Sequence, residues 1–452
     1  MSRAPLSINY NNKWPLSHRL NSLTSDKPVS GLTGSTLLSG TQTPKTSGRQ
    51  VVAAGLGINL ALGILYAYSM LAADIATLFP GSGDPYATAC LAFAVSMIIG
   101  GKMQDKVGPR VIAFLGGLLV GAGFLVCSQT SSYWGWVFGF GVLAGTGIGF
   151  GYSAATPPAL KWFSPAKTGL IAGIVVSGFG IAPVYLAPAC QYLLGQYGLH
   201  TTMMILGVAF IVIVCTMSLL LTNPPTGFVP VTQHSPDVVG KQNCVDATPI
   251  QMLKERRFYI LWLIFFVGAG AGLMVIGSVA GIAKQSMGEM AFIAVAVMAI
   301  GNAAGRVLAG LMSDKIGRAT TLILLLALQS TLMFLAVRVV SNEDSGALLV
   351  TLMATFIGFN YGSNLSLFPS FIKDYWGTKN YGTNYGILFS AWGVGAFVLV
   401  KLSSILKAMH GGMESSFVLA GILLLIGTVL AMSLLPLKGT EPVYVAKEPA
   451  KL

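Results

Sequence analysis

The chain has 452 residues, of which 54% are hydrophobic and only 9% charged, with a formal net charge of +12. Soluble domains carry about 25% charged residues, so this composition excludes a soluble globular protein and points to a helical integral membrane protein. A surplus of positive charge would suit nucleic acid, but here it sits in short loops between apolar runs, which is a membrane topology signal.

Residues 1–49 are polar, rich in Ser, Thr and Asn, and lack the apolar stretch of a cleavable signal peptide. They read as a disordered cytoplasmic tail. A membrane-crossing helix needs about 20 mostly apolar residues. Residues 50–221 hold six such runs, with cores at Val51–Ala72, Pro85–Gly101, Val111–Gln129, Trp134–Leu160, Gly169–Leu194 and Thr202–Leu221. Residues 222–253 form a polar, proline-bearing linker. Residues 254–436 hold six more runs, at Phe258–Ala283, Met290–Leu311, Thr320–Val340, Gly346–Ile372, Tyr385–Leu406 and Ser416–Leu435. Residues 437–452 are a second polar tail. The expected fold is an all-α membrane protein of twelve transmembrane helices in two pseudo-symmetric six-helix bundles.

With even-numbered spans ending inside, the inner loops carry Lys102, Lys106, Arg110, Lys161, Lys167, Lys241, Lys254, Arg256, Arg257, Lys315, Arg318, Lys373 and Lys379. The outer loops carry Lys284, Arg338 and Lys407. This asymmetry places both termini in the cytoplasm and suggests the plasma (inner) membrane. Cys90, Cys127, Cys190 and Cys215 lie in apolar runs, and no CxxC pair or metal spacing occurs. His18, His200, His234 and His410 all fall in tails or loops, so no catalytic constellation forms, and neither cofactor nor metal is expected.

Two internal repeats divide the chain in the same way. GGKMQDKVGPR after the second span returns as AGLMSDKIGR after the eighth. In these, Gly101 and Gly310 allow close helix approach. Asp105 and Asp314 can accept hydrogen bonds from a neighbouring helix N-terminus or from Arg110 and Arg318. Such a charge cluster could break and reform as two halves rock. The single copy could be a solvated turn; the matched pair argues for a conformational gate. A looser repeat relates the segment around Tyr152 and PPALKWFSPAK to the segment around Tyr361 and FPSFIKDYWG.

The residue that stands out most is Arg306, inside AFIAVAVMAIGNAAGRVLAGLMSDKIGR. A guanidinium at the centre of a membrane helix costs ~2.5–3.5 kcal/mol on insertion scales. No Asp or Glu falls in the middle of a span to neutralise it. Asp314 lies eight residues on, about 12 Å along a helix. Arg306 therefore either bonds backbone carbonyls or awaits an anion from outside. Asn302 shares its helix face one turn earlier. Tyr66, Tyr152, Tyr361, Phe389 and Trp392 fall within spans and either line a pocket or pack helices. Lys401 sits high in its span, out of phase with Trp392, and reads as a snorkelling side chain.

The paired GxxxDxxG(P)R segments resemble those of the major facilitator superfamily, over about residues 51–436. INLALGILYAYSMLAAD, FYILWLIFFVGAGAGLMVIG, NAAGR and NYGILFSAWG further resemble the oxalate/formate antiporter family and its monocarboxylate-transporting relatives. The resemblance implies transport by alternating access rather than enzymatic catalysis. In the family's oxalate carrier, an arginine in span eight and a lysine in span eleven hold the dianion. The arginine position corresponds to Arg306, whereas the lysine position falls on Trp392. In the lactate-type branch, the matching arginine and asparagine contact a monocarboxylate. The expected substrate is thus lactate, pyruvate or formate, moved either with a proton or by anion exchange. The alternatives are an oxalate/formate antiporter and, more remotely, an anion sensor.

Overall fold

The computed structural model describes residues 47–79, 83–225, 228, 246–287, 291–340, 346–410 and 412–435. Residues 1–46 of the tail expected at 1–49, the tail at 437–452 and most of the linker lie outside these residues; Gly48 and Arg49, expected in the tail, instead begin α1, capped by Ser47, and of the linker a short helix at Pro249–Leu253 is described.

In chain order the helices are α1 Gly48–Leu62, α2 Ser69–Leu78, α3 Asp84–Val107, α4 Pro109–Ser128, α5 Tyr133–Trp136, α6 Gly145–Trp162, α7 Thr168–Ser218, α8 Pro249–Leu253, α9 Arg256–Met287, α10 Ala291–Ile316, α11 Arg318–Val340, α12 Ala347–Trp376, α13 Tyr381–His410 and α14 Glu414–Met432. A 3-10 segment, Gly63–Ala67, joins α1 to α2, and a π-helical segment, Val137–Ala144, joins α5 to α6. Eleven described segments are long and apolar enough to cross a membrane. One of them, Pro165–Ser218, is 54 residues long. A straight helix of that length would reach about 80 Å at ~1.5 Å per residue, far beyond the ~30 Å hydrocarbon core.

That segment is two crossings. Gly198 breaks α7 with φ 70 and ψ 176, a conformation open to glycine and costly for other residues. Just past the break, His200 Nε2 meets Ser131 Oγ at the far end of α4. At the end of α7, the Thr222 carbonyl accepts from Trp162 Nε1, close to where α7 begins. The chain therefore reverses, and the described residues cross twelve times in an all-helical fold.

Gly55 and Gly178 bring α1 against α6 and α7 within the N-terminal half. Between the halves, two seams form at the face bearing the basic loops. A Cβ on Gly101 (α3) would land on the Gly382 carbonyl (α13), and one on Gly310 (α10) on the Gly169 carbonyl (α7). Backbone-to-backbone approach of this kind substitutes for a hydrophobic driving force inside lipid. Asp105 and Asp314, in the segments that follow the second and eighth apolar runs, belong, like Asp374, to the last turns of their helices, α3, α10 and α12. The helices run on past the apolar cores because these carboxylates find donors there.

The seam predicts a contrast. Gly310→Ala inserts a methyl into contact with backbone, a strain of about 1–3 kcal/mol, and should lower the melting midpoint by roughly 2–10 °C. Gly195→Ala faces open space and should leave it unchanged or slightly higher. Equal melting of both variants would mean that the seam is looser than this.

Candidate functional site

Arg306 is buried to 0% relative exposure in the middle of α10. Its Nε donates to Asn302 Oδ1 at 2.9 Å, one turn back on the same face. Its Nη1 donates to the Val176 carbonyl at 2.6 Å, on α7 of the other half. The guanidinium reaches that carbonyl because residue 180 is glycine: a Cβ there would meet Asn302 Oδ1 and Arg306 Nε. Nη2 has no hydrogen-bond partner. No Asp or Glu is among the buried residues described, and both ion pairs among the described residues belong to Arg318. Of the guanidinium nitrogens, Nη1 is thus taken by a backbone carbonyl, and Nη2 is left over.

Beside it Tyr66, Phe93, Tyr152, Phe179, Arg306, Leu365, Phe389 and Trp392 line a space that, in this conformation, is too tight to admit even a water molecule. The side chains are drawn in on all sides.

Tyr66 owes its position to the 3-10 segment Gly63–Ala67, where the first crossing departs from α-helical geometry. Irregular helix at membrane depth is tolerated where it lines a cavity. The Tyr66 and Tyr361 hydroxyls are hydrogen-bonded at 2.5 Å. Trp392 Nε1 donates to the Tyr361 hydroxyl at 2.9 Å. Phe93 is the hub of the apolar wall, with ring centroids 5.1 Å from Phe389, 5.3 Å from Trp392 and 5.5 Å from Tyr152. The Tyr152 hydroxyl, like Arg306 Nη2, is buried without a partner. Arg306 Nη2 and the Tyr152 hydroxyl thus face a single tight space walled mainly by aromatic rings and Leu365.

Of the residues singled out in the sequence, Arg306, Tyr66, Tyr152, Phe389 and Trp392 line the space. Asn302 and Tyr361 stand one layer back, each hydrogen-bonded to a lining residue. Phe93, Phe179 and Leu365 were not legible, because an apolar residue within an apolar span carries no mark of the direction it faces. Lys401 is exposed and takes no part. No group of three or more His, Cys, Asp or Glu able to hold a metal occurs among the described residues.

The repeated segments lie apart from this space, at the basic face. Asp105 accepts from the Gly382 and Thr383 backbone N–H at 3.0 and 2.8 Å, and from Thr383 Oγ1 at 3.0 Å. Asp314 accepts from the Gly169 and Leu170 N–H, both at 2.8 Å. Each carboxylate thus caps the start of a helix in the opposite half, where the helix dipole favours negative charge. The copies differ in their arginines. Arg318 joins Asp314 at 2.6 Å and Asp374 at 2.9 Å, whereas Arg110 is exposed and forms no ion pair with Asp105. Both seams are closed, so this conformation is shut on the basic face.

Residues 50–400 and 261–451 match the model of the Major Facilitator Superfamily. The chain is 27% identical over 391 residues to the oxalate:formate antiporter of Oxalobacter formigenes, covering 83% of this chain and 88% of that protein. It is 27% identical over 399 residues to monocarboxylate transporter 11 of Homo sapiens, covering 85% and 82%. Among solved structures it shares the fold of the human organic anion transporter MFSD10, with TM-score 0.65, 14% identity, and coverage of 85% and 99%.

The caps predict a separation of turnover from binding. Asp105→Asn and Asp314→Asn keep side-chain shape but present an amide N–H₂ to backbone donors, weakening charge-assisted bonds. Each should slow turnover about tenfold while substrate affinity stays within a few-fold, as read from uptake rates beside equilibrium binding. Loss of binding in a folded variant would contradict a gating role.

Proposed function

We propose that this chain, which belongs to the Major Facilitator Superfamily, carries a small monocarboxylate such as formate, lactate or pyruvate across the membrane by alternating access. The observation that supports this most is the pairing of Arg306 Nη2 with an aromatic space at the junction of the halves. A planar guanidinium holds a carboxylate through parallel hydrogen bonds. The unspent hydroxyl of Tyr152 is a further donor to the same group. Phe93, Phe179, Leu365 and Phe389 offer the apolar wall that a short carbon tail needs.

Charge balance favours one carboxylate over two. The lining residues supply a single cation. A second carboxylate would be buried without compensation, at a cost of several kcal/mol. The indole of Trp392 stands where a second cation would serve a dianion, and its N–H is already given to Tyr361. The relatives support a small carboxylate: the human one is a monocarboxylate transporter, and the bacterial one exchanges the monoanion formate against the dianion oxalate.

Coupling follows from the same balance. Loaded, the site holds a neutral pair; empty, it holds a cation satisfied only by an amide oxygen and a carbonyl. Exchange of one monoanion for another keeps the site loaded in both directions. Symport requires a proton that enters with the substrate. Uptake into proteoliposomes with and without a pH gradient separates the two.

Arg306→Lys keeps the charge but loses the fork, and should lower uptake by about 10²-fold with normal insertion. Near-wild-type uptake by Arg306→Ala would refute the site. In competition assays short monoacids should displace label at least about tenfold better than oxalate, and Trp392→Lys should narrow that gap. A wild-type preference for oxalate would reverse the substrate assignment.

A further inference from the structure

We propose that Lys373, together with the hydroxyls between it and the central space, forms a loading port for the carboxylate at the basic face. The proposal rests on the reading that this chain carries a small carboxylate.

From the space towards the basic face, α6 sets Tyr152, Thr156 and Leu160 at successive turns of one helix face. From the other half, α13 sets Phe389, Tyr385 and Tyr381 in the same way. Thr156 Oγ1 and the hydroxyls of Tyr152 and Tyr385 are all buried; the two tyrosine hydroxyls face each other without a well-formed hydrogen bond, and Thr156 Oγ1 has no partner. The indole N–H of Trp376, near the end of α12, is likewise buried and unspent. Polar groups buried this deep are ordinarily satisfied. These polar groups between the site and one face of the protein would offer hydrogen bonds to an anion passing there once the halves part.

Lys373, about one turn before Trp376 on α12, stands near the lower end of this path. It is only 8% exposed, and its Nζ donates to the Leu160 carbonyl at 2.9 Å. A lysine present only to set topology would snorkel out to water; this one turns into the seam. Leu160 belongs to the N-terminal half and Lys373 to the C-terminal half, so their bond must break when the halves part on this face. The ammonium then stands in the opening mouth, below the hydroxyls that lead to Arg306. Lys161, half-buried beside Leu160, adds a second positive charge. A cationic mouth with low-dielectric walls raises the local anion concentration and the on-rate.

The test uses full-length wild type, Lys373→Gln and Lys373→Arg in proteoliposomes, with radiolabelled formate, lactate and pyruvate as probes. Binding at the central space is followed separately by quenching of tryptophan fluorescence. At low salt, Lys373→Gln should take up sub-saturating acid about tenfold more slowly, with its binding constant changed by less than about twofold. Added salt should slow wild type steeply and Lys373→Gln hardly at all. Lys373→Arg should behave as wild type. Wild-type rate and salt dependence in Lys373→Gln would overturn the port, and so would loss of binding in step with rate, since that places the lysine in the fold or the central site. If Lys373→Gln does not insert, Lys161→Gln decides: a reduced salt dependence supports the port, and an unchanged one overturns it. A wild type that carries none of the three acids defeats the carboxylate reading and the port with it.

Discussion

The constraint on which the rest of this molecule depends is one guanidinium held inside an apolar bundle without a carboxylate. Arg306 is placed there by α10 and kept from collapsing by Asn302 on its own helix and the Val176 carbonyl across the junction. The absence of a side chain at Gly180 makes this geometry accessible. A side chain at that position would push the guanidinium from its partners, whereas an internal acid would satisfy the cation and remove its reason to bind an anion. The space beside it is aromatic rather than polar, so the unspent N–H groups have few competitors. A buried charge left partly unsatisfied costs stability, and an anion able to enter and neutralise it gains that energy back as affinity.

Contacts between the halves fall into two kinds. Gly101 against Gly382 and Gly310 against Gly169 are steric: backbone meets backbone, and nothing else fits. The caps of Asp105 on α13 and of Asp314 on α7 are electrostatic, and they lie beside the glycine pairs. Each seam therefore closes over a short distance and through charge-assisted bonds, as a two-state device needs. Arg306 to Val176 and Lys373 to Leu160 also span the halves, through cations that an arriving anion can engage. A carboxylate at Arg306 competes for the same guanidinium that holds α7, which links occupancy of the site to the freedom of the halves to move.

Much of this could be read from the chain alone, for physical reasons specific to each residue. Arg306 announced itself because charge is expensive in lipid, and Asn302 because helical spacing sets it beside that charge. Asp105 and Asp314 were legible because one motif occurs twice. Their partners were not: sequence offered either an arginine or a helix N-terminus, and the two copies share only the N-terminus. The Val176 carbonyl left no trace, since backbone groups carry no residue-type signal. Phe93 and Phe179 were hidden among many similar apolar residues. Lys373 looked like one more topology marker, and only its burial against α6 sets it apart.

The central claim is that Arg306 seats a single carboxylate. It is tested most directly by solid-state NMR on reconstituted protein labelled with ¹⁵N at arginine and supplied with [1-¹³C]pyruvate. Dipolar dephasing should place the carboxyl carbon within about 4 Å of a guanidinium nitrogen, as a hydrogen-bonded pair requires, and this contact should vanish in Arg306→Lys. A bound pyruvate that shows no arginine dephasing, or the same dephasing in Arg306→Lys, would contradict the account.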